Sequence, residues 1–151
     1  MKIIATLALA ALTAAAAIPA AAQTFQKPED AIKYRRAALT VLAAHYGALG
    51  AMANGRAPYD AAAAARHGDA INAVVHLPWS GFVQGSNSGD TKAKAEIWSE
   101  AAKFKQAHER AEGEVAKIAA AAKTGSLDQL KAAWGPNSGS CKACHDNFRR
   151  D

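Results

Sequence analysis

The sequence predicts an all-α domain, an antiparallel up-down four-helix bundle. After residue 22, four stretches carry apolar residues at helical spacing, and almost no stretch alternates as a β-strand does. Most of the connections between these stretches are short, which favours antiparallel neighbours. A chain of this size suits one domain with one hydrophobic core, since single domains cluster near ~100 to 150 residues.

Residues 1–22 have the pattern of a secretory signal peptide. Lys2 supplies a positive start, an apolar run follows from Ile3 to Ile18, and three alanines form a small-residue cleavage pattern. The run is too short and too rich in alanine for a membrane anchor, which needs ~20 apolar residues. We therefore expect cleavage and a mature domain of residues 23–151, exported to an oxidising compartment.

The first predicted helix begins at Pro28, where a proline and the acidic Glu29 and Asp30 suit the positive end of a helix dipole. We expect it to end at Gly50. Its inward face is predicted to carry Ile32, Arg35, Leu39, Leu42, Tyr46 and Leu49.

The second predicted helix has Asp60 as its N-cap and ends before Pro78. Its inward face is predicted to carry Ala64, Ile71, Val74 and Leu77. The connection from Pro78 to Lys92 is rich in Gly, Ser, Asn and Asp and is long for a bundle, so it is either a functional wrap or a flexible link. Trp79 and Phe82 indicate that its beginning is anchored.

The third predicted helix carries a heptad seam and ends at Gly125. The seam consists of Ile97, Ala101, Phe104, His108, Ala111, Val115, Ile118 and Ala122.

The fourth predicted helix begins at Ser126, which forms a capping-box pattern with Gln129. Pro136 predicts a kink or a brief break, after which the final segment forms a separate turn or two. We expect one face to carry Leu130, Trp134, Cys141, Cys144 or His145, and Phe148.

The formal net charge is +5, or +4 once Lys2 is removed. Basic residues are scattered among acidic ones without interleaved aromatic residues, which favours solvated helix faces over nucleic-acid binding.

The sequence Cys-x-x-Cys-His at residues 141–145 predicts one covalently attached haem of the c type. A disulfide between residues three apart on a helix is strained, and a redox motif lacks the expected alternation of strands and helices here. Structural zinc needs four ligands, and the remaining histidines, His45, His67, His76 and His108, are not at ligand spacing. Haem attachment instead engages both thiols, of Cys141 and Cys144, and makes His145 an axial iron ligand.

No convincing sixth ligand emerges from the pattern. Met52 lies in a weakly patterned segment, and His45 and Leu39 cannot face the same haem. For His67 and His108, a structural role outweighs ligation. A peroxidase would also need a distal base and a polar partner, which the pattern does not supply, so we do not expect an enzyme.

Several segments in order resemble the bacterial cytochrome c′ family: "QKPEDAIKYRRAALTVLAAHYG" at 26–47, "APYDA" at 57–61, "LPW" followed by Phe82, "EIWSEAAKFKQ" at 96–106 and "SCKACHDNFRR" at 140–150. The resemblance covers nearly all of the predicted mature chain. It implies a four-helix bundle whose haem lies near the C-terminus.

The resemblance implies further haem-pocket residues. Leu39 matches an apolar residue on the open face of a five-coordinate, high-spin iron, where relatives with methionine become low-spin electron carriers. Arg35 matches an arginine near a haem propionate, with Arg36 a weaker match at the same edge, and Phe82 matches a distal aromatic residue. The remaining matches are Arg149, beside the proximal histidine, and Asp90 and Thr91, in the loop that passes the haem edge.

The resemblance further implies a periplasmic protein that binds diatomic gases, NO or CO, and most directly sequesters nitric oxide. An electron-transfer protein that cycles between Fe(II) and Fe(III) with a redox partner is the alternative. The family is commonly a homodimer built on its first two helices, and Val41 is the kind of apolar residue on the first helix that permits one. We expect neither nucleic acid nor a membrane as a partner.

Overall fold

The computed structural model of the chain describes residues 25–150. The predicted signal peptide lies outside these residues. The elements are α1 (Pro28–Ala53), α2 (Ala61–Val74), a 3-10 turn (Pro78–Gly81), α3 (Glu96–Ser99), α4 (Ala101–Ala122) and α5 (Leu127–Phe148).

Helices α1, α2, α4 and α5 form the predicted four-helix bundle. Helix α1 packs against α2 and α5, and α4 packs against α2 and α5, so each long helix has two long-helix neighbours. In the described part of the chain, extended backbone pairing is confined to one antiparallel bridge between Ala93 and Arg149. The prediction of an all-α bundle is confirmed.

Helix α1 begins at Pro28 as predicted but continues three residues beyond Gly50. Gly50 lies inside the helix beneath the indole of Trp134, where a side chain would not fit. The glycine is therefore explained by packing and does not mark the end of the helix. The chain turns instead after Asn54, at Gly55, whose φ of 69° is readily adopted by glycine.

Helix α2 has the predicted N-cap, since the Asp60 side chain accepts a hydrogen bond of 2.8 Å from the backbone N–H of Ala63. The prediction that Leu77 faces inward is wrong, because its side chain is 44% exposed. The helix ends at Val74, and Val75, which caps it, is buried while Leu77 is not. The 3-10 turn follows from Pro78.

The third predicted helix is interrupted. Glu100 has φ −118° and ψ 43°, which separates the short α3 from α4 and leaves Ala101 exposed rather than on the seam. The Trp98 indole N–H on α3 donates to the carbonyls of Phe82 and Val83 at 3.1 and 3.0 Å. These bonds tie α3 to the connecting loop.

Helix α5 runs unbroken through Pro136, so the prediction of a separate C-terminal segment is wrong. The side chains of Leu130 and Asn137 are fully buried and Phe148 is 6% exposed. These anchors lie on both sides of the proline, and their packing offsets the backbone hydrogen bond that proline removes. The predicted N-cap is confirmed, because Ser126 Oγ accepts from the backbone N–H of Gln129 at 3.3 Å.

The buried side chains form two clusters. The larger cluster joins the four long helices and consists of Leu49, Met52, Ala53, Ala64, Ile71, Val75, Val115, Ile118, Ala119, Ala122 and Leu130. The smaller cluster consists of Ala93, Ile97, Phe104 and Phe148, with Trp79, Phe82, Trp98, Ala107 and Cys144 packed against it. Because Cys144 belongs to the second cluster, the candidate site lies at the aromatic end of the bundle.

Candidate functional site

Helix α5 carries the cysteines and the histidine of the predicted haem site. Cys141 and Cys144 lie one helical turn apart, on nearly the same side of the helix. Both thiols are free and partly buried. His145 follows directly, so its ring leaves the helix beside Cys144. The three groups therefore face one region at the C-terminal end of α5.

A cavity of about 600 Å³ opens at His145. This size lies within the range of ~300 to 1,000 Å³ that is usual for cofactor sites. Its remaining lining residues are Lys94, Asp146, Arg149 and Arg150.

Backbone pairing fixes the rim of this cavity. The N–H of Lys94 donates to the carbonyl of Phe148 at 3.0 Å, and the N–H of Arg150 donates to that of Lys92 at 2.8 Å. These bonds flank the bridge between Ala93 and Arg149 and join the long loop to the C-terminal residues. Arg149 consequently lies on this paired segment and lines the same cavity as His145.

Burial alters the acid–base properties of the site. Partial desolvation and the nearby Arg149 lower the pKa of His145, which stays exposed at the surface, and the Asp146 carboxylate partly opposes this. Burial and the neighbouring Cys141 raise the pKa of the Cys144 thiol. Near neutral pH the imidazole is thus neutral and can present a lone pair to a metal, while Cys144 keeps its proton.

Arg35 is a buried cation, with only 1% of its surface exposed. Its guanidinium donates to Gly81 O at 2.8 Å, to Ser86 O and Oγ at 2.6 Å each, and to Thr91 Oγ1 at 2.8 Å. It also lies 4.5 Å from the ring centre of Phe82, within cation–π range. Burial lowers its pKa to about 10. None of these partners carries a charge, so they do not neutralise the guanidinium, and it could also pair with a nearby anion.

Arg36 and Asp90 form an exposed ion pair, and Arg36 also donates to the Asp90 carbonyl at 3.0 Å. Thr91, which follows Asp90, receives the bond from Arg35. The structure therefore brings the predicted residues of α1 and of the long loop together. Leu39 lies one turn beyond Arg35 on α1 and is partly buried.

Aromatic rings form the wall behind these residues. Trp79 stacks on His108 with ring centroids 4.8 Å apart, and Phe104 contacts Phe82 and Phe148 at 5.0 and 5.3 Å. Sequence reasoning did not assign Trp79 or Phe104 to the site. Their signal was a helical or loop spacing that is equally typical of an ordinary core.

The residues present fit a covalently bound haem. Two free thiols precede His145 on the same helix, and the imidazole lines a cavity. A buried guanidinium without an acidic partner could meet a carboxylate. The indole N–H of Trp79 is also buried without a hydrogen-bond partner. An uncompensated buried donor of this kind usually indicates a missing acceptor. Within residues 25–150, no three His, Cys, Asp or Glu side chains converge to hold a bare metal ion.

A four-helix bundle with this set of residues near its C-terminus is typical of one class of protein, the c-type cytochromes whose haem motif lies on the last helix. A sequence profile of the family described as Cytochrome C' matches residues 30–149. The cytochrome c' of Alcaligenes xylosoxydans xylosoxydans is 46% identical over 126 residues, which cover 83% of this chain and 98% of the relative. The chain belongs to the cytochrome c′ family, and membership implies a covalently bound c-type haem.

Solved structures agree with this assignment. The cytochrome c' of Rubrivivax gelatinosus superposes with a TM-score of 0.80 at 45% identity, covering 84% of this chain and 100% of that one. A nitrosyl complex of a variant of cytochrome c prime from Alcaligenes xylosoxidans superposes with a TM-score of 0.78 at 44% identity, covering 85% and 100%.

Across residues 25–150, every helix falls short of the length and apolar character that crossing a lipid bilayer would demand.

Proposed function

We propose that this chain is a periplasmic protein that binds nitric oxide or carbon monoxide at one five-coordinate haem. Cys141 and Cys144 hold the haem through thioethers, and His145 is the axial ligand of the iron. The haem supplies the iron that binds the gas. The chain positions that iron, covers its open face and excludes water.

The observation that carries this proposal is that the usual sixth ligands are engaged elsewhere. Met52 is buried in the larger core cluster. His45 and His67 face each other, with their Nδ1 atoms 2.8 Å apart. His76 and His108 each contact a different carboxylate oxygen of Glu112, at 2.5 and 3.0 Å. These contacts support an iron that is left open on one side.

The distal side chains would select the ligand. Leu39 offers no hydrogen bond to bound oxygen, and its bulk disfavours larger ligands on that face. Nitric oxide needs no such hydrogen bond, because it binds ferrous iron strongly and can weaken the bond to His145. The nitrosyl complex solved for the Alcaligenes xylosoxidans relative supports this ligand class.

The residues that match the haem pocket of the family have assigned roles in this proposal. Arg35 faces a haem propionate, with Arg36, Asp90 and Thr91 ordering the same edge. Phe82 forms part of the distal wall. Arg149 lies beside His145, where its charge can interact with a small ligand on the proximal face.

Electron transfer is the second candidate, and the cations around the cavity favour it. Lys94, Arg149 and Arg150 line the cavity rim, and Lys92 lies on the same paired segment. Such a rim could meet an acidic redox partner. A five-coordinate iron changes its ligation on redox or ligand binding more readily than a six-coordinate one, however, which slows electron exchange. Fast self-exchange would favour this second function.

We further propose that the chain forms a homodimer through α1 and α2. Among residues 25–150, Val41 on α1 and Leu77 just beyond α2 are the large apolar side chains with high exposure, 44% each. Burial of these side chains by a second copy would stabilise the pair. Sedimentation of the mature protein at micromolar concentration tests this, and a monomer at that concentration would contradict it.

Optical and resonance Raman spectra of the ferric and ferrous protein test the main proposal. We expect a c-type haem with a high-spin, five-coordinate ferrous iron that becomes low-spin with carbon monoxide. A six-coordinate, low-spin ferrous spectrum at neutral pH without added ligand would refute the open site. Intact mass supplies a separate readout, because attachment adds the mass of one haem to a chain beginning near residue 23.

A further inference from the structure

Asn137 is a fully buried polar residue, one helical turn before Cys141 on α5. In the described part of the chain, the other buried polar or charged side chains are Arg35 and Ser86, which hydrogen-bond to each other. A buried carboxamide is unfavourable unless its donors and its acceptor find partners. Asn137 therefore requires a reason of its own.

The oxygen of the Asn137 carboxamide has two partners. Tyr46 Oη donates to Oδ1 at 2.7 Å, and the Cys141 thiol donates to the same atom at 3.3 Å. Tyr46 lies on α1 and packs against Trp134, with ring centroids 4.3 Å apart, so its hydroxyl is held in place. Asn137 thus connects α1 to the first sulfur of the haem motif.

The nitrogen of the same carboxamide has no hydrogen-bond partner. Asn137 Nδ2 is buried without a hydrogen-bond partner. Its two N–H groups are consequently the unbalanced part of an otherwise satisfied network.

Haem attachment changes the hydrogen bonding of the Cys141 sulfur. The thiol adds across a vinyl group: the sulfur bonds to one vinyl carbon, the thiol hydrogen goes to the other, and no external oxidant or reductant is needed. The resulting thioether can accept a weak hydrogen bond but cannot donate one. Asn137 Oδ1 would then face a sulfur lone pair instead of a proton.

We propose that Asn137 is the positioning residue for the Cys141 thioether, with its carboxamide turned over in the haem-loaded chain so that Nδ2 donates to the sulfur and to Tyr46 Oη. Rotation by half a turn exchanges Nδ2 with Oδ1, which places the donor where the two short contacts now lie. Both N–H groups gain acceptors. The cost is that Oδ1 loses both of its donors and that the hydroxyl hydrogen of the partly buried Tyr46 turns away from the carboxamide. Proteins bury an unpaired carbonyl oxygen more readily than an unpaired N–H.

This arrangement would hold one haem edge against α1 through a side chain rather than through the helix backbone alone. It rests on the proposed attachment at Cys141. It adds to that function a residue that orients the linkage without touching the iron.

Nuclear magnetic resonance of the ¹⁵N-labelled, ferrous, carbon monoxide-bound protein tests the inference, because that form is diamagnetic. We expect the Asn137 Nδ2 protons to show Overhauser contacts to the methyl protons of the thioether bridge. We also expect them to exchange with solvent at least about tenfold more slowly than those of Asn147. Asn147 is the matched control, since its amide is exposed on the same helix and donates to the Ala143 carbonyl at 2.8 Å.

The variant Tyr46→Phe removes one acceptor but keeps the ring packing against Trp134. Exchange at Asn137 Nδ2 should then accelerate about tenfold, with the contact to the thioether retained and Asn147 unchanged. Attached haem without the Overhauser contact would overturn the inference and leave the proposed function intact. A chain whose intact mass lacks the haem would refute both.

Discussion

The guanidinium of Arg35 lies 4.5 Å from the ring centre of Phe82, and this pair links the N-terminal half of α1 to the residue that follows the 3-10 turn. Gly81 makes the approach possible, because a Cβ there would lie 2.8 Å from Arg35 Cβ and 2.9 Å from the Ala31 carbonyl. The glycine therefore lets backbone pack on backbone. The cation is thereby enclosed by the loop whose oxygens it binds.

Replacement of this cation should destabilise the fold. Arg35→Met keeps an unbranched side chain but leaves the acceptors of Gly81, Ser86 and Thr91 without their donor. We expect a loss of ~2 to 4 kcal/mol in the free energy of unfolding, measured with guanidinium chloride. Arg36→Met is the matched control, since its exposed ion pair with Asp90 is worth less than ~1 kcal/mol. Equal effects of the two substitutions would contradict the structural role of Arg35.

Truncation of Leu39 should open the distal face. In Leu39→Ala, we expect faster carbon monoxide binding and tighter distal binding, measured by flash photolysis and equilibrium titration, because the proposed function places this side chain above the iron. Leu42→Ala is the matched control on the same helix, since Leu42 packs against the larger core cluster. It should lower stability without changing ligand kinetics. Unchanged carbon monoxide affinity in Leu39→Ala would argue against Leu39 as the gate.

Two glycines of α1 should respond to alanine with opposite signs. A Cβ at Gly50 would approach Trp134 Cη2 to 2.6 Å, whereas a Cβ at Gly47 meets nothing within 4 Å. Gly50→Ala should therefore destabilise the protein by ~1 to 3 kcal/mol through overpacking. Gly47→Ala should stabilise it by ~0.5 to 1 kcal/mol through helix propensity. Stabilisation by both substitutions, measured by thermal unfolding, would show that Trp134 does not occupy the space above Gly50.

The contact between His45 and His67 predicts a loss of stability in acid. Burial, then the neighbouring His45 and Arg66, lower the pKa of His67 in the folded chain. The unfolded chain therefore binds a proton at His67 more readily than the folded chain does. The stabilisation of the fold by neutral His67 is complete above the ordinary pKa of ~6.5 and is lost as the pH falls below that value. In urea unfolding from pH 8 to 5, His67→Gln should flatten the decline. An unchanged slope would place the pH dependence on other groups.

Much of the fold was predictable because helix signals are local. Asp60 and Ser126 were recognised as caps from their positions before apolar periodic stretches, and each accepts the predicted backbone N–H. The errors occurred where distant packing overrides a local rule. Gly50 does not end α1 because Trp134, on another helix, covers it, and Pro136 does not break α5 because residues on both sides of it are buried.

In the candidate site, too, the residues recognised from sequence are those whose signal is local. Cys141, Cys144 and His145 are adjacent in sequence, and the chemistry of thiols and imidazole at that spacing indicates a haem without any knowledge of the fold. Asn137 was not predicted, since an asparagine after a Gly-Pro pair is typical of a turn and nothing local indicates that Tyr46 will reach it.

The sequence by itself therefore determined the helical class, the two caps and the covalent chemistry, because each depends on residues within a few positions of one another. Only the tertiary structure decided which distant groups meet. Folding places Ser86 and Thr91 around Arg35, although both are more than fifty residues away in sequence. It also joins Tyr46 to Asn137, which are 91 residues apart. Such contacts depend on how helices and a loop pack together, and periodicity along one helix carries no information about its partners.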